Sequence, residues 1–307
     1  QGQGVETAVT HMTGTTEHGE HRQDGRQAQA QMPLALRLVR LLFARLGRVF
    51  PRLMGGWAYR LWFRTHRYPE WAAGRRAAQA AERDTLQVDG VPVAVYRWGE
   101  PGPVVLFVHG WSGRGSQVAA FVRPLCRAGY RVMAVDAPGH GETPGNRTNI
   151  LECARVLQAV EQSYGPLHGV ITHSFGGMVL AYAMVQGLAV GRAACIAAPA
   201  RVEFLVERFA RIMAMPDTVV TNLGERLEQR FDRDIWDLLA TDANARRLDV
   251  PALVIHDEQD SSVPWQQGRQ IADAWQGAQF MLTQGLGHNR ILRDPAVIKR
   301  VVAFLGA

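Results

Sequence analysis

The stretch Val170-Ile171-Thr172-His173-Ser174-Phe175-Gly176-Gly177-Met178-Val179-Leu180 decides how the rest of the chain is read. Val170 and Ile171 close an apolar run of strand character, and the run from Met178 continues as a helix. Ser174 therefore falls on a sharp strand-to-helix turn. Such a turn presents a hydroxyl at the carboxyl end of a sheet, beside a helix N-terminus. Gly176 and Gly177 supply the small residues the turn needs. A serine in this place can equally be a helix N-cap, so its reading as a nucleophile depends on what the chain supplies elsewhere.

Three other segments answer that question. His109-Gly110-Trp111-Ser112-Gly113 follows the apolar run Val104 to Val108. A glycine there lets the chain turn tightly and can aim the Trp111 amide at the top of the sheet, where with the Phe175 amide it forms an oxyanion hole. The other reading is a plain glycine turn with His109 as a structural residue. The run Leu253 to Asp257 is followed by Glu258-Gln259-Asp260, so three carboxylates compete to orient a base. Asp257 ends the strand and can be a simple turn cap, whereas Asp260 reaches further into the loop ahead of Val263-Pro264. Gly285-Leu286-Gly287-His288 then places an imidazole between flexible glycines after the last strand-like run. Of the ten histidines, His288 alone combines this position with the order Ser, Asp, His. His140 and His256 read as structural.

Together these motifs resemble the α/β-hydrolase family over roughly residues 86 to 307, and Asp136-Ala-Pro-Gly-His-Gly141 resembles that family's loop after the next strand. Two positions depart from its pattern: Thr172 replaces the first glycine of G-x-S-x-G, and Asp257 stands where many relatives have glycine. The resemblance implies an α/β-hydrolase fold: a mostly parallel twisted sheet with helices on both faces, a helical cap insertion and, in this chain, an extra N-terminal helical segment. It implies Ser174 as nucleophile, His288 as general base, Asp260 as the orienting acid, and Trp111 and Phe175 as oxyanion donors. His109, Gly110, His173, Met213 and Met215 are the candidates for substrate contact. The implied chemistry is hydrolysis of a small apolar carboxylic ester through an acyl-enzyme, with no cofactor and no metal. A serine at the elbow sets the chain apart from relatives whose nucleophile is a carboxylate. Thioester, C–C and peptide bonds remain alternatives, as does a lipase-like reaction at a membrane surface, because one fold serves many reactions.

The remainder of the chain fits one large α/β domain with an appendage. It has 307 residues, 47% hydrophobic and 20% charged. Leu86 to Val88 and Val91 to Tyr96 flank the hairpin signal Asp89-Gly90. The apolar runs Val104 to His109, Arg131 to Asp136, Gly169 to His173, Ala193 to Ala198, Ala252 to Asp257 and Gln279 to Thr283 alternate with helical patterns, as in a doubly wound sheet. Residues 200–248 carry no strand signal, and Phe204, Leu205, Phe209, Ile212 and Met213 recur there at helical spacing, which predicts a cap. Cys126, Cys153 and Cys195 are too scattered for a disulfide framework or a zinc site.

The domain limits expected are 1–31 as a disordered polar tail, 32–80 as a basic helical segment and 81–307 as the catalytic domain. Ten Arg and one acid, Glu70, lie between Met32 and Ala80, so this segment alone exceeds the net charge of +6 and the remainder is slightly acidic. Arg37, Arg40, Arg45, Arg48 and Arg52 fall on one side of a helical wheel, and Val39, Phe43, Leu38, Leu42, Leu46, Val49 and Phe50 on the other. Pro51 is expected to stop this helix, and Gly55-Gly56 to separate it from the aromatic stretch Trp57 to Phe63. Residues 33–63 are expected to pack on the catalytic domain or a second subunit, or to contact a membrane surface. No charge-free run is long enough to span a bilayer or serve as a signal peptide, which predicts a cytoplasmic protein, peripheral at most. No nucleic-acid reading motif accompanies the arginines.

Overall fold

A computed structural model describes residues 33–232 and 234–307; the segment read as a polar tail, residues 1–31, lies outside them. Two helices, α1 (Leu34–Val49) and α2 (Pro51–Trp62), precede a shorter α3 (Ala72–Ala80). The hairpin β1 (Glu82–Val88) and β2 (Val91–Trp98) turns on Asp89 and Gly90, whose φ of 51° and 78° are the pair a two-residue type I′ turn requires. There follow β3 (Val104–Val108), α4 (Ala119–Arg127), β4 (Arg131–Val135), α5 (Ile150–Tyr164), β5 (Leu167–His173), α6 (Phe175–Val185) and β6 (Ala193–Ile196). After a helical interval come β7 (Ala252–Asp257), α11 (Trp265–Ala274), β8 (Gln279–Thr283), the short α12 (Gly287–Arg290) and α13 (Pro295–Leu305).

The eight strands form one sheet in the order β1-β2-β4-β3-β5-β6-β7-β8. The first two pairings are antiparallel and the others parallel. Successive residues of β3 serve opposite cores. Val104, Leu106 and Val108 pack with Met133 and Met178, while Val105 and Phe107 pack with Phe121 and Phe304. This two-sided burial is why the central strands read as unbroken apolar runs. From β3 the chain winds outward to β4 on one side and to β5 on the other, so the loops beyond these strands diverge and leave a crevice at their carboxyl ends.

The interval between β6 and β7 holds four helices: α7 (Val202–Met213), α8 (Asp217–Phe231), α9 (Ile235–Leu238) and α10 (Thr241–Ala245). The N-terminal helices pack on the first two of these helices. Phe43 is fully buried and stacks on Trp57 with centroids 4.7 Å apart. Trp62 meets Phe209 edge-on at 5.4 Å, and Phe63 lies 5.8 Å from Phe231. Arg40 donates to the carbonyls of Arg211 and Ile212 at the end of α7, where orphan carbonyls attract a cation.

Two expectations for this segment are corrected. Gly55-Gly56 does not separate helices but lies inside α2, and Pro51 opens that helix at its first turn. The glycine is needed for close packing: a Cβ on Gly55 would stand 2.7 Å from the Asn222 Cβ, and one on Gly47 would stand 2.8 Å from Val219 Cγ2. The apolar half of α1 is also not all inward. Val39 and Phe43 pack on the body, whereas Leu38, Leu42, Leu46, Val49 and Phe50 are exposed. Gly55→Ala should therefore lower stability by about 1–3 kcal/mol through overpacking, although alanine is the better helix former by about 1 kcal/mol. A depressed thermal midpoint checks this; an unchanged or raised midpoint would mean that α2 and α8 part without cost.

Candidate active site

Ser174 sits between β5 and α6 with φ 52° and ψ −122°, a conformation that costs a non-glycine residue about 1–3 kcal/mol. Its amide donates to the Ile196 carbonyl at 2.9 Å, and its carbonyl accepts from the Gly177 amide at 2.9 Å. Three glycines make room for the turn. A Cβ would come within 3.0 Å of the Ser174 Cβ at Gly110, 2.5 Å of the Val108 oxygen at Gly176 and 2.6 Å of the Ala198 Cβ at Gly177. The same absence at Gly177 accommodates Thr172: the Thr172 hydroxyl oxygen would lie only 3.4 Å from a Cβ there.

His288 and Asp260 are brought together from two loops. His288 Nδ1 lies 2.7 Å from Asp260 Oδ2, so with its proton on Nδ1 the ring donates and Nε2 is left to accept. The other carboxylate oxygen accepts from the amides of Ser262 and Val263 at 2.8 and 2.9 Å. His256 Nε2, which donates to the Val263 carbonyl at 2.8 Å, stands 3.5 Å from Asp260 Oδ2. Burial works against ionisation of Asp260, but the hydrogen bonds from His256, His288 and Val263 outweigh it and hold the carboxyl below the usual carboxylate range.

Asp257 has a different task from Asp260. Its side chain is buried and accepts the amides of Gln259 at 3.0 Å, Leu286 at 3.1 Å and Gly287 at 2.8 Å, with the Thr283 hydroxyl at 2.8 Å. It thereby clamps the loop that carries His288. The backbone of that loop is held from the other side by His173, whose Nε2 donates to the His288 carbonyl at 2.8 Å. The only sequence signal for this clamp is the acid at a position where the related family has glycine.

The loop after β3 is held by imidazoles. His109 Nδ1 donates to the Gly110 carbonyl at 2.7 Å, which also accepts the Gly113 amide at 2.9 Å. Because the peptide is planar and trans, this pins the direction of the Trp111 N–H, opposite to that carbonyl. His109 Nε2 accepts the Ala137 amide at 3.0 Å. His140 Nδ1 donates to the Pro138 carbonyl at 3.0 Å, and its Nε2 accepts the Ser112 amide at 2.9 Å. The amides of Trp111 and Phe175 donate to no protein acceptor among the described residues, and their rings meet edge-on at 5.0 Å. Asp136 braces the same region through Gly115 N at 2.7 Å, Glu142 N at 2.8 Å and the Tyr96 hydroxyl at 2.8 Å.

The residues expected to contact substrate are not gathered as Asp260 and His288 are. His109 and His173 are each 3% exposed and engaged in holding backbone, so both position loops and do not offer a free ring to a ligand. Gly110 serves through its missing side chain. Met215 is buried in the apolar core, and Met213 packs against it at the end of α7. The small apolar cavity touching His109 and Phe175 is lined from the body by Val108, Cys153, Leu157 and Val179, and neither methionine reaches it. Among the described residues, no cluster of three or more His, Cys, Asp or Glu could hold a metal ion.

The model of the alpha/beta hydrolase family matches residues 105–301. The chain is 33% identical over 117 residues to a dihydrolipoyllysine-residue acetyltransferase component of an acetoin cleaving system from Cupriavidus necator, covering 37% of this chain and 31% of that protein. It is 26% identical over 183 residues to the lysophosphatidylserine lipase ABHD12 of Danio rerio, covering 56% of this chain and 47% of that one. The chain thus spans less than half the length of these relatives. Among solved structures it is similar to the esterase RhEst1 from Rhodococcus sp., with a TM-score of 0.55 and 20% identity over 74% of this chain and 99% of that chain.

Burial lowers the basicity of His109 to about 4, and of His140 and His173 to about 3, against an ordinary 6.5. All three stay neutral when folded, whereas the unfolded chain takes up their protons below about pH 6.5. Their contribution to stability is thus complete above that pH and is lost as pH falls from about 6.5 toward 4, at up to about 1.4 kcal/mol per pH unit for each ring. Denaturation midpoints should fall steadily between about pH 7 and pH 5, and less steeply in His140→Gln; midpoints independent of pH would contradict this account.

Proposed function

The chain belongs to the alpha/beta hydrolase family, and from that premise we propose that it cleaves carboxylic esters of apolar acids or alcohols through an acyl-enzyme on Ser174. The observation that carries this reading is the pairing of a strained serine elbow with a His288–Asp260 hydrogen bond in loops at the same end of the sheet. His288 Nε2 takes the Ser174 proton as Oγ attacks the ester carbonyl carbon. Asp260 keeps the Nδ1 proton in place and stabilises the imidazolium. The carbonyl oxygen becomes an oxyanion and accepts the amides of Trp111 and Phe175, each such donor being worth about 3 kcal/mol in the transition state. Collapse breaks the C–O bond, and the leaving alkoxide takes the proton from His288. Water then attacks the acyl-enzyme with His288 again as base, and the acid leaves as Ser174 is reprotonated.

Several features support an apolar ester over other carbonyl substrates. The small cavity beside His109 and Phe175 is lined by Val108, Val135, Cys153, Leu157 and Val179, an apolar lining that suits an uncharged acyl or alcohol chain. The Danio rerio relative is named as a lipase and the Rhodococcus neighbour as an esterase.

Hydrolysis of p-nitrophenyl esters from acetate to palmitate should occur with wild type and fall by roughly 10⁴-fold or more in Ser174→Ala. Equal turnover by the mutant would remove Ser174 from the mechanism, and turnover of thioesters but not esters would move the substrate class. Asp257→Ala should remove no reacting group but free the Leu286 and Gly287 amides. Misplacement of His288 then lowers kcat on the order of tenfold to a hundredfold with a smaller change in KM. An unchanged kcat would show that the loop is held without Asp257.

A further inference from the structure

Helix α1 is amphipathic twice over. Phe43 and Gly47 face inward, Phe43 against Trp57 of α2 and Gly47 against Pro216 and Val219 of the segment after α7. The opposite face is also apolar and has nothing against it among the described residues. Leu34 is 71% exposed, Leu38 53%, Val49 66% and, at the start of α2, Leu53 71%. Leu41, Leu42, Leu46 and Phe50 are exposed beside them. Eight of the eleven exposed large apolar side chains among the described residues thus come from positions 34–53, so the patch is a local feature and not the scattered exposure of any soluble surface. A contiguous apolar surface of this kind marks a site of interaction.

The charge around it selects the occupant. Arg37, Arg45, Arg48 and Arg52 are exposed in and beside the stripe, and residues 33–69 contain eight Arg and no acid. None of these four arginines forms an ion pair among the described residues, although Arg40 on the cap side is engaged with α7. A second copy docking through the same stripe would bring arginine against arginine with no acid to relieve it. An anionic lipid surface answers both features: the leucines enter the boundary between headgroups and acyl chains, and the guanidinium groups meet phosphates. We propose that α1 and the first turn of α2 form a docking face for an anionic membrane surface, on which the protein lies peripherally. No helix among the described residues is long and apolar enough to cross a membrane.

This face is joined to the candidate active site. Past α2, the Thr65 amide donates to the Asn146 carbonyl at 2.9 Å and the Thr65 hydroxyl to the Gly139 carbonyl at 2.7 Å. The His66 amide donates to the Ser112 hydroxyl at 3.1 Å, and Arg67 donates to the carbonyls of Gly141 and Thr143. The segment that would rest on lipid is thus continuous with the loops around Trp111 and His140.

Flotation of the full chain with phosphatidylcholine vesicles, with and without phosphatidylglycerol, tests this without any turnover, so it stands or falls apart from the ester-hydrolase reading. Wild type should float with the anionic vesicles, at least about tenfold more than with neutral ones, and salt should release it. Leu38→Glu with Val49→Glu should cut recruitment by about tenfold or more. Arg45→Glu with Arg48→Glu should do so at about fivefold per charge removed. Both variants alter exposed side chains outside the catalytic machinery, so their melting midpoints and hydrolysis of a soluble ester should match wild type. Should the first variant unfold, the second still decides. Absence of wild type from anionic vesicles, or recruitment undiminished in the arginine variant, overturns the proposal. A wild-type dimer dissolved by either variant, with no vesicle binding, assigns the face to self-association and overturns it too.

Discussion

The left-handed backbone at Ser174 is the constraint to which the rest of the molecule answers. A serine at φ 52° is tolerated only where its surroundings hold it. Here β6 supplies the Ile196 carbonyl, α6 supplies the Gly177 amide, and the crevice beside β3 supplies space through Gly110 and Gly176. The parallel sheet is in effect the frame that keeps this one residue out of its ordinary conformation. The position of the turn at the carboxyl ends of adjoining strands then determines which loops can reach the hydroxyl.

Those loops are held by buried polar groups, each with a separate duty. Asp260 meets the His288 ring, Asp257 grips the backbone beneath that ring, and Asp136 braces the opposite loops. His109, His140 and His173 bond main-chain groups and remain neutral, so they bring no charge that burial would penalise. The arrangement ties the placement of these loops to the neutrality of three imidazoles. The departure from the family at position 257 is thereby explained, since a glycine would leave the Leu286 and Gly287 amides unsatisfied. The departure at Thr172 is absorbed by Gly177.

The N-terminal segment belongs to the same construction. Its aromatics pack on α7 and α8 beside Phe209 and Phe231, and its strap from Thr65 to Arg67 bonds to the loops around residues 139–146. The segment is therefore tied both to the helices after β6 and to the loop after β4, although it is basic where the remainder of the chain is slightly acidic.

The sequence by itself determined the alternation of strand and helix, the hairpin at Asp89-Gly90, the helical interval after β6, and the order Ser174, Asp260, His288. These rest on local periodicity and on turn chemistry, which a chain carries in neighbouring residues. Tertiary structure alone decided that Asp257 holds the loop of His288, because the Leu286 and Gly287 amides it accepts lie in a different loop of the chain. It decided that Gly55-Gly56 continues a helix, since the close approach of Asn222 is invisible from either segment alone. It also decided that His109 and His173 hold backbone, and that α1 turns Phe43 inward while leaving Leu34, Leu38 and Val49 outside. A helical wheel gives the faces of a helix, but only the packing of distant elements says which face is covered.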